Sequence, residues 1–408
     1  MRKIVLWLAA CIVLANIDSC SRDNHNYLTD WSIPNITLVE TVPAFTNIQL
    51  SPAALNPAVA IGELINSANS SIDIEGFYFN SLAKTAFSED ILYNLKKKAE
   101  SGIKIRIVLE AKMKGSALKN GLSILENYPN VTIRYNNYFD KMNGIVHAKL
   151  IIVDSKRFYM GSHNLDWIAF QLNHELGVIV DSPELSKELQ KVFEADFNND
   201  MQYQPKLAHV AATSGKVFIA VSPNFDGIAS EINSIIGLID DAKTVIDLQA
   251  MTSSNFDQYA CKDYWYQLQN AIINAAKRGV EINLSISNWE FQAGEMLTHN
   301  NDYLMELKKY PNIHIRYSIL PQSVGGMCIP YSEVDHAKYM VVDREHVWIG
   351  TGNLEQSYFT SSRNFSLFVM NNPVLAKEVD EIFKKMWNGS YMASYVSPVL
   401  MTYNPACD

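Results

Sequence analysis

The sequence predicts an α/β protein made of two homologous halves, each an α-β-α sandwich, which pair as a pseudo-twofold intramolecular dimer. Three observations lead to this prediction. The 408-residue chain is longer than one hydrophobic core usually organises. Short apolar, strand-like runs alternate with amphipathic, helix-like segments, a pattern typical of layered α/β proteins with a largely parallel sheet. Finally, the main sequence motifs occur twice in the same order.

The internal repeat defines the two halves. Its three pairs of segments begin at Ser101 and Arg278, at Tyr128 and Tyr310, and at Val146 and Asp335. The offset between the copies rises from 177 to 182 and then to 189 residues. A slowly rising offset with preserved order is what duplication followed by loop insertion produces.

Each element of the first half follows from its local pattern. The predicted elements are a helix over residues 58–70, a buried strand over 72–79, an amphipathic helix over 91–101 and a second buried strand over 103–109. Gly102 and Gly279 each lie between a helix and a strand, the usual place for a glycine that ends a helix. We therefore predict a lead-in segment at 16–45, an N-terminal half at 46–212 and a C-terminal half at 213–408.

The N-terminal residues predict an export signal. Arg2 and Lys3 precede an apolar run over residues 4–15, which is too short for a permanent membrane span, and small residues predict cleavage after Ala15. A lipoprotein signal ending at residue 19, before Cys20, is the alternative, although Asp18 occupies a position where a small neutral residue is usual. The protein is thus expected to be secreted or in the lysosomal lumen of a eukaryote, or periplasmic or lipid-anchored in a bacterium.

Charge and cysteine content bear on nucleic-acid binding, disulfide bonds and metal binding. The formal charge of −9 argues against a surface that attracts nucleic acid everywhere, but it permits a locally basic cleft. Without Cys11, which the signal removes, four cysteines remain, enough for two disulfides: Cys20, Cys261, Cys328 and Cys407. Their spacing matches no zinc site, so we predict no metal.

The repeated segment carries the chemistry. In the first copy its polar and glycine positions are His147, Lys149, Asp154, Gly161, Ser162 and Asn164. In the second copy they are His336, Lys338, Asp343, Gly350, Thr351 and Asn353. Cleavage of a phosphodiester needs one neutral imidazole to attack phosphorus and a protonated one to donate to the leaving oxygen, while cations and amides neutralise the phosphate. Since each half supplies one histidine, the halves must share a site.

This doubled pattern, H-x-K-x(4)-D-x(6)-G-[ST]-x-N, resembles the phospholipase D superfamily over nearly the whole chain from about residue 38. The resemblance is closest to the animal lysosomal branch, the phospholipase D3 and D4 type. The segments that carry it are GFYF at Gly76, FYMGSHNLDW at Phe158, HELGV at His174, HAKYMVVD at His336, IGTGN at Ile349 and SYFT at Ser357. The resemblance implies a phosphodiesterase that needs neither metal nor cofactor and acts through a phosphohistidine.

The resemblance also implies roles for single residues. His147 and His336 would be the nucleophile and the general acid; we assign the attack to His147, although the near symmetry of the halves permits the reverse. Glu175 matches an acid that orients a catalytic histidine, whereas Asn364 occupies the equivalent position in the second half. The remaining roles are phosphate binding by Lys149, Lys338, Asn164 and Asn353 with Ser162 and Thr351 nearby, and structural support by Asp154, Asp343, Gly161 and Gly350.

Three functions remain open on the sequence alone. The branch resemblance favours a 5′-exonuclease acting on single-stranded nucleic acid ends. A phospholipase D or phosphatidyl transferase acting on phospholipid head groups would use the same chemistry. An inactive membrane-coat or scaffold protein is the non-enzyme alternative. The sequence also permits a homodimer.

Overall fold

The computed structural model describes residues 34–81, 91–199, 217–257, 262–321, 323–324 and 327–400. The predicted export signal, the predicted boundary at 212–213 and every cysteine other than Cys328 lie outside these residues. Cys328 is disulfide-bonded.

The first half alternates strands and helices much as predicted. In chain order its elements are β1 (Asn35–Thr41), β2 (Ala54–Leu55), α1 (Pro57–Asn66), β3 (Ser71–Gly76), β4 (Phe79–Asn80), α2 (Tyr93–Glu100), β5 (Lys104–Glu110), α3 (Lys114–Lys119), β6 (Val131–Asn136), β7 (Lys149–Val153), β8 (Arg157–Gly161), β9 (Leu165–Asp166), α4 (Trp167–Gln171), β10 (Glu175–Asp181) and α5 (Pro183–Asn198).

The second half repeats this order and adds short strands. Its elements are β11 (Val217–Ser222), β12 (Ala229–Ser230), α6 (Glu231–Asp241), β13 (Val245–Gln249), β14 (Phe256–Asp257), β15 (Asp263–Tyr264), α7 (Gln267–Lys277), β16 (Glu281–Ser287), α8 (Glu295–Leu307), β17 (Ile313–Ser318), β18 (Ser323–Val324), β19 (Met327–Cys328), β20 (Tyr339–Val342), β21 (His346–Gly350), α9 (Gln356–Thr360), β22 (Asn364–Val369), α10 (Pro373–Trp387) and β23 (Met392–Ser394).

Each half has one large sheet, and the strand order is the same in both. The orders are β2-β1-β10-β8-β7-β3-β5-β6 and β12-β11-β22-β21-β20-β13-β16-β17, and β23 extends the second sheet. Only part of each sheet is parallel: β3, β5 and β6 run in one direction, whereas β7, β8 and β10 pair antiparallel. The expectation of a largely parallel sheet is therefore wrong. The repeated motif forms a hairpin, and a hairpin connection joins antiparallel strands only.

The predicted lead-in segment is too long at its C-terminal end. Residues 35–41 form β1, which lies between β2 and β10 in the first sheet. Leu38 and Val39 are buried there opposite Val178 and Gly177 of β10. Residues 38–41 are consecutively buried, as expected for a strand inside a sheet that is covered on both faces.

A shared hydrophobic core joins the two halves. Met160 and Val178 of the first sheet belong to the same buried cluster as Ile349 and Leu367 of the second, together with the apolar faces of α5 and α10. Separate clusters lie on the other face of each sheet, under α1 and α2 in the first half and under α6, α7 and α8 in the second. Each half is thus a three-layer α-β-α sandwich whose inner layer packs against the other half.

Backbone bridges between the halves obey a twofold exchange. Val146 pairs with Arg363, and His174 pairs with Asp335. Adding the 189-residue repeat offset to the first member of one pair, and subtracting it from the second, gives the other pair. This exchange is the signature of a twofold-related contact in which residue i meets j and j meets i. As a result, the extended segments before β7 and β20 both lie at the contact between the two halves.

Candidate active site

The two motif histidines lie in extended segments just before β7 and β20, and each is held by the other half. The amide N–H of His147 donates to the Arg363 carbonyl at 3.0 Å, and that of His336 donates to the His174 carbonyl at 2.8 Å. The side chains are held in the same crossed manner. His147 Nδ1 lies 2.9 Å from Asn364 Oδ1, and His336 Nδ1 lies 2.8 Å from Glu175 Oε2. In both rings the bond at Nδ1 leaves Nε2 as the nitrogen available for chemistry.

Each motif lysine folds back beneath its histidine. Lys149 Nζ donates to the His147 carbonyl at 2.8 Å and lies 3.2 Å from His147 Nε2, while Lys338 Nζ donates to the His336 carbonyl. Both lysines are fully buried. Among the described residues no carboxylate forms an ion pair with either ammonium group. The carboxyl groups of Glu175, Asp166 and Asp335 act on these lysines from beyond ion-pair distance, so an anion can still bind beside the ammonium groups.

Burial and these two cations set the protonation of the site. Burial is the main cause that lowers the pKa of both His147 and His336 well below the ordinary histidine value, and the neighbouring Lys149 and Lys338 lower it further. Burial also lowers the pKa of Lys338 to about 7, and that of Lys149 falls well below its usual range. Burial therefore disfavours positive charge on these four side chains, and a phosphodiester bound beside them would favour it.

A hydroxyl-to-carboxyl pair stands beside the site in each half. In the first half, Tyr78 donates to Asp166 Oδ2 at 2.8 Å, and Asn164 Nδ2 donates to the Tyr78 hydroxyl at 3.2 Å. In the second half, Thr252 donates to Glu355, which occupies the position of Asp166. Burial raises the pKa of Asp166 to about 6 and that of Glu355 to about 7. Both carboxyls can thus be neutral next to a phosphate group in mildly acidic solution.

The hydroxyls of the motif support the histidine partners. Ser162 Oγ donates to the Leu176 carbonyl at 3.2 Å and accepts from the Leu176 amide at 3.0 Å, which anchors the residue next to Glu175. Thr351 Oγ1 donates to Asn364 Oδ1 at 3.0 Å. Both hydroxyls are therefore engaged with the strands that hold the histidines.

The motif aspartates lie away from the histidines, at the far ends of β7 and β20. Asp154 accepts backbone N–H groups from residues 69, 70 and 71, and Asp343 does the same for residues 243, 244 and 245. These bonds lower the pKa of Asp154 to about 2 against the opposing effect of burial. Each aspartate ties the turn before β3 or β13 to the motif strand.

The motif glycines permit a close approach of neighbouring strands. A Cβ at Gly161 would lie 2.4 Å from Gly177 Cα, and a Cβ at Gly350 would lie 2.6 Å from the Trp348 ring. A side chain at Gly161 would push β8 and β10 apart, and one at Gly350 would displace the Trp348 ring.

Both histidines line one cavity of about 840 Å³. Asn164 and Asn353 line it as well, one from each half. Aromatic side chains on its wall include Phe77, Tyr78, Trp289, Tyr331 and Tyr358. The predicted site residues are thus brought together, with the lysines buried behind the histidines.

Sequence reasoning missed part of this site. Asn364 is a departure from the acid at Glu175, and the sequence alone does not show that its amide oxygen takes the equivalent position at His147. Asp166, Glu290 and Glu355 were not singled out, although all three line the cavity. A signal was available for two of them, because an acid follows the motif asparagine by two positions in both copies.

Comparison with known proteins identifies the family. The family model described as "Cardiolipin synthase, PLD-like domain" matches residues 61–197 and 235–387. The chain belongs to the phospholipase D-like family. It is accordingly a phosphodiesterase of the phospholipase D superfamily, a hydrolase, with one PLD-like domain in each half.

Individual PLD-like relatives are similar over most of the chain. It is 27% identical over 403 residues to the 5′-3′ exonuclease PLD3 of Xenopus tropicalis, covering 88% of this chain and 80% of that protein. It is 26% identical over 432 residues to phospholipase D Z of Dictyostelium discoideum, covering 96% and 98%. Phosphatidylserine synthase of Haemophilus influenzae Rd KW20 shares the fold, with a TM-score of 0.59 and 12% identity over 83% of this chain and 85% of that one.

The described part of the chain contains neither a cluster of metal ligands nor a helix that could span a membrane. Within the described ranges, no group of three or more histidine, cysteine or acidic side chains could hold a metal ion. No helix in those ranges is both long and apolar enough to cross a bilayer.

Proposed function

We propose that this protein is a metal-independent 5′-exonuclease of single-stranded nucleic acid that works through a covalent phosphohistidine. One observation carries the proposal. Two buried histidines, each held at Nδ1 by a residue of the opposite half, line one cavity above two buried lysines, and neither lysine forms an ion pair with a carboxylate in the described part of the chain. A phosphodiester is the group that such an arrangement can bind and cleave.

We infer that His336 is the nucleophile and His147 the general acid, the reverse of the assignment made from sequence. The carboxyl group of Glu175 contacts His336 Nδ1, whereas His147 Nδ1 meets only the neutral amide of Asn364. A carboxylate at Nδ1 makes Nε2 more basic and stabilises the positive charge that the ring acquires when it bonds to phosphorus. A neutral partner keeps the other imidazolium a stronger acid, as proton donation requires.

The reaction then has two balanced steps. His336 Nε2 forms a bond to phosphorus while the bond to the leaving oxygen breaks, and His147 gives its proton to that oxygen. His147, now neutral, takes a proton from water as the water oxygen attacks phosphorus and displaces His336. Lys149, Lys338 and the amides of Asn164 and Asn353 would neutralise the non-bridging oxygens in both steps.

The cavity favours an unpaired strand end as substrate. Its entrance bears aromatic rings, with Trp289 and Tyr331 at a centroid distance of 6.2 Å, on which bases could stack. Its volume of about 840 Å³ suits a few groups around one phosphate and not a duplex. An exonuclease needs few phosphate contacts, so the net charge of −9 is no obstacle. The similarity to a protein named 5′-3′ exonuclease also supports a nucleic-acid end as the substrate.

A phospholipase D or phosphatidyl transferase is the second candidate. The apolar side chains of Met113, Ile168, Met251 and Met296 also line the cavity and could receive lipid. The similarity to a protein named phospholipase D Z favours it as well. The catalytic roles would be unchanged, because the same phosphohistidine would carry a phosphatidyl group.

We also infer export, from the basic N-terminus and the short apolar run that follows it. N-terminal sequencing of the protein recovered from the culture medium or periplasm would test this. Retention of Met1 on the exported protein would contradict cleavage.

The substrate is tested by side-by-side assays with chelator present. We expect fluorescent single-stranded DNA or RNA with a free 5′ hydroxyl to be shortened from that end. A 5′ phosphate should slow the reaction, since an extra dianion must be desolvated, and a duplex should resist. Release of choline from phosphatidylcholine without any shortening of nucleic acid would replace the exonuclease by the lipid function.

A further inference from the structure

The two walls of the cavity differ in how their acidic side chains are bonded. In the first half, both oxygens of Asp166 are used, one by the Tyr78 hydroxyl and the other by the Ala169 amide. On the opposite wall, Glu290 Oε1 and Glu355 Oε2 are buried and have no partner among the described residues. Both side chains line the cavity and are at least nine-tenths buried. The second-half wall therefore presents polar atoms that a ligand must satisfy.

These atoms are held in place. The Ser253 amide donates to Glu290 Oε2 at 3.0 Å, and the Thr252 hydroxyl donates to the other oxygen of Glu355. A third unpaired atom, Asn300 Oδ1, joins them, because Asn300 Nδ2 donates to the Glu290 carbonyl at 2.8 Å. Since each group is anchored by its other polar atom, the unpaired oxygens cannot turn away to find partners elsewhere.

The protonation states of Glu290 and Glu355 restrict which chemical groups can bind to this wall. Burial raises the pKa of Glu355 to about 7 and that of Glu290 well above its ordinary value. Burial therefore favours the protonated form of Glu290, while Glu355 can carry a proton or lack one near neutral pH. A protonated carboxyl donates to the ligand, whereas Asn300 Oδ1 needs a donor, so the ligand must both accept and donate. A hydroxyl does both, whereas a phosphodiester only accepts and an ammonium group only donates.

The second-half wall lies next to a residue that we expect to bind the phosphate, and this position indicates which hydroxyl of a substrate could reach the wall. Glu355 follows Asn353, which we place on the phosphate, by two residues. In a ribonucleotide the 2′-hydroxyl lies beside the 3′-oxygen that joins the sugar to its phosphate, and deoxyribose has only hydrogen there.

We propose that Glu290, Glu355 and Asn300 form a subsite for the 2′-hydroxyl of the ribose bonded to the scissile phosphate. The proposal rests on the exonuclease function. It makes the protein a nuclease that prefers a ribonucleotide at the cleaved position, because deoxyribose leaves the buried oxygens unpaired.

The test varies one atom of the substrate. Single-stranded oligodeoxynucleotides of one sequence carry at their 5′-terminal nucleotide either 2′-H, 2′-OH or 2′-fluoro, and single-turnover release of that nucleotide is measured. We expect the 2′-OH strand to react roughly ten- to hundredfold faster than the other two. Fluorine matches the hydroxyl in size but donates no proton, so it should behave like hydrogen.

A matched pair of variants locates the effect. Glu355→Leu removes the carboxyl from the wall and should bring the ratio of 2′-OH to 2′-H rates close to one. Glu333→Leu is the control, since Glu333 is also buried with an unpaired oxygen but does not line the cavity. It should keep the wild-type ratio. Thermal unfolding of both variants verifies their folding, and the wild-type substrate series decides the question even if a variant fails to fold.

The outcomes separate this inference from the proposed function. Equal rates for the three strands would overturn the subsite and leave the exonuclease standing, as would a preference that persists in Glu355→Leu. Cleavage of none of the strands would overturn both. A glycerol hydroxyl could present the same group, so phosphatidylglycerol is compared with phosphatidylpropanol. A preference for phosphatidylglycerol together with a flat 2′ series would assign the subsite to glycerol and overturn the ribose assignment.

Discussion

The carboxyl group of Glu175, in the first half of the chain, lies 2.8 Å from Nδ1 of His336, in the second half. At the equivalent place, His147 meets the amide of Asn364. The two histidines therefore have equivalent backbone contacts, but the side chain at Nδ1 is a carboxyl group for His336 and a neutral amide for His147. This difference divides nucleophile from acid, and it can be tested by substitution.

Glu175→Gln should lower kcat by about 10²–10⁴-fold with a smaller change in KM, because the amide neither raises the basicity of His336 nor stabilises the phosphorylated ring. Steady-state kinetics on the single-stranded substrate measures this. Asn364→Gln, which keeps a neutral partner near His147, is the control and should cost less. An equal or larger loss in Asn364→Gln would contradict the assignment.

Replacing either histidine by alanine should lower turnover of a natural phosphodiester by at least about 10⁴-fold, and the double variant should be no worse, since the two act as one unit. A p-nitrophenyl phosphodiester separates their roles, because its leaving group needs no proton. His147→Ala should release one equivalent of p-nitrophenolate in a burst, whereas His336→Ala should release none. The opposite pattern would return the nucleophile to His147.

The pH dependence of kcat/KM should be bell-shaped, with a maximum below pH 6.5. One histidine must be neutral and the other protonated, and burial together with Lys149 and Lys338 lowers the pKa of both below 6.5. Activity should fall toward neutrality, where neither histidine carries a proton, and fall further as Lys338, with a pKa of about 7, becomes neutral. On the acid side, the rate falls as both histidines and Glu175 become protonated. A maximum above pH 8 would refute this account of the site.

Lys149→Met should abolish most activity yet raise the melting temperature by about 2–5 °C. Burial and the nearby Lys338 lower the pKa of Lys149 well below its unfolded value, so the charged ammonium costs stability at acidic pH. This destabilisation is fully present below the pKa of Lys149 in the folded protein. By linkage, it disappears as the pH rises toward the pKa of an ordinary lysine. The gain should therefore be largest at acidic pH. A lower melting temperature for the variant at pH 5 would show that Lys149 stabilises the fold.

Activity should be unchanged by EDTA, since imidazole and lysine supply the nucleophile, the acid and the charge neutralisation. The measurement compares initial rates on single-stranded substrate before and after prolonged dialysis against chelator. A loss that added divalent metal restores would contradict the proposed chemistry.

Sequence reasoning predicted the repeated halves and their shared site because the doubled motif and its 189-residue offset are local signals. It did not predict that Glu175 crosses to His336, since no local pattern shows which half a side chain faces. The strand β1 was assigned to the lead-in for a related reason: its partner β10 lies about 140 residues away in sequence. The unpaired atoms of Glu290 and Glu355 depend on packing between distant loops, which composition and periodicity do not encode.

The exchanged contacts between the halves have an evolutionary consequence. A homodimer of first halves would place a copy of Glu175 at both histidines, and a homodimer of second halves would place a copy of Asn364 at both. Neither ancestor could give its two imidazoles different partners. Once the two copies are joined in one gene, one partner can mutate alone, so that fusion allows a symmetric pair of interchangeable histidines to take different catalytic roles.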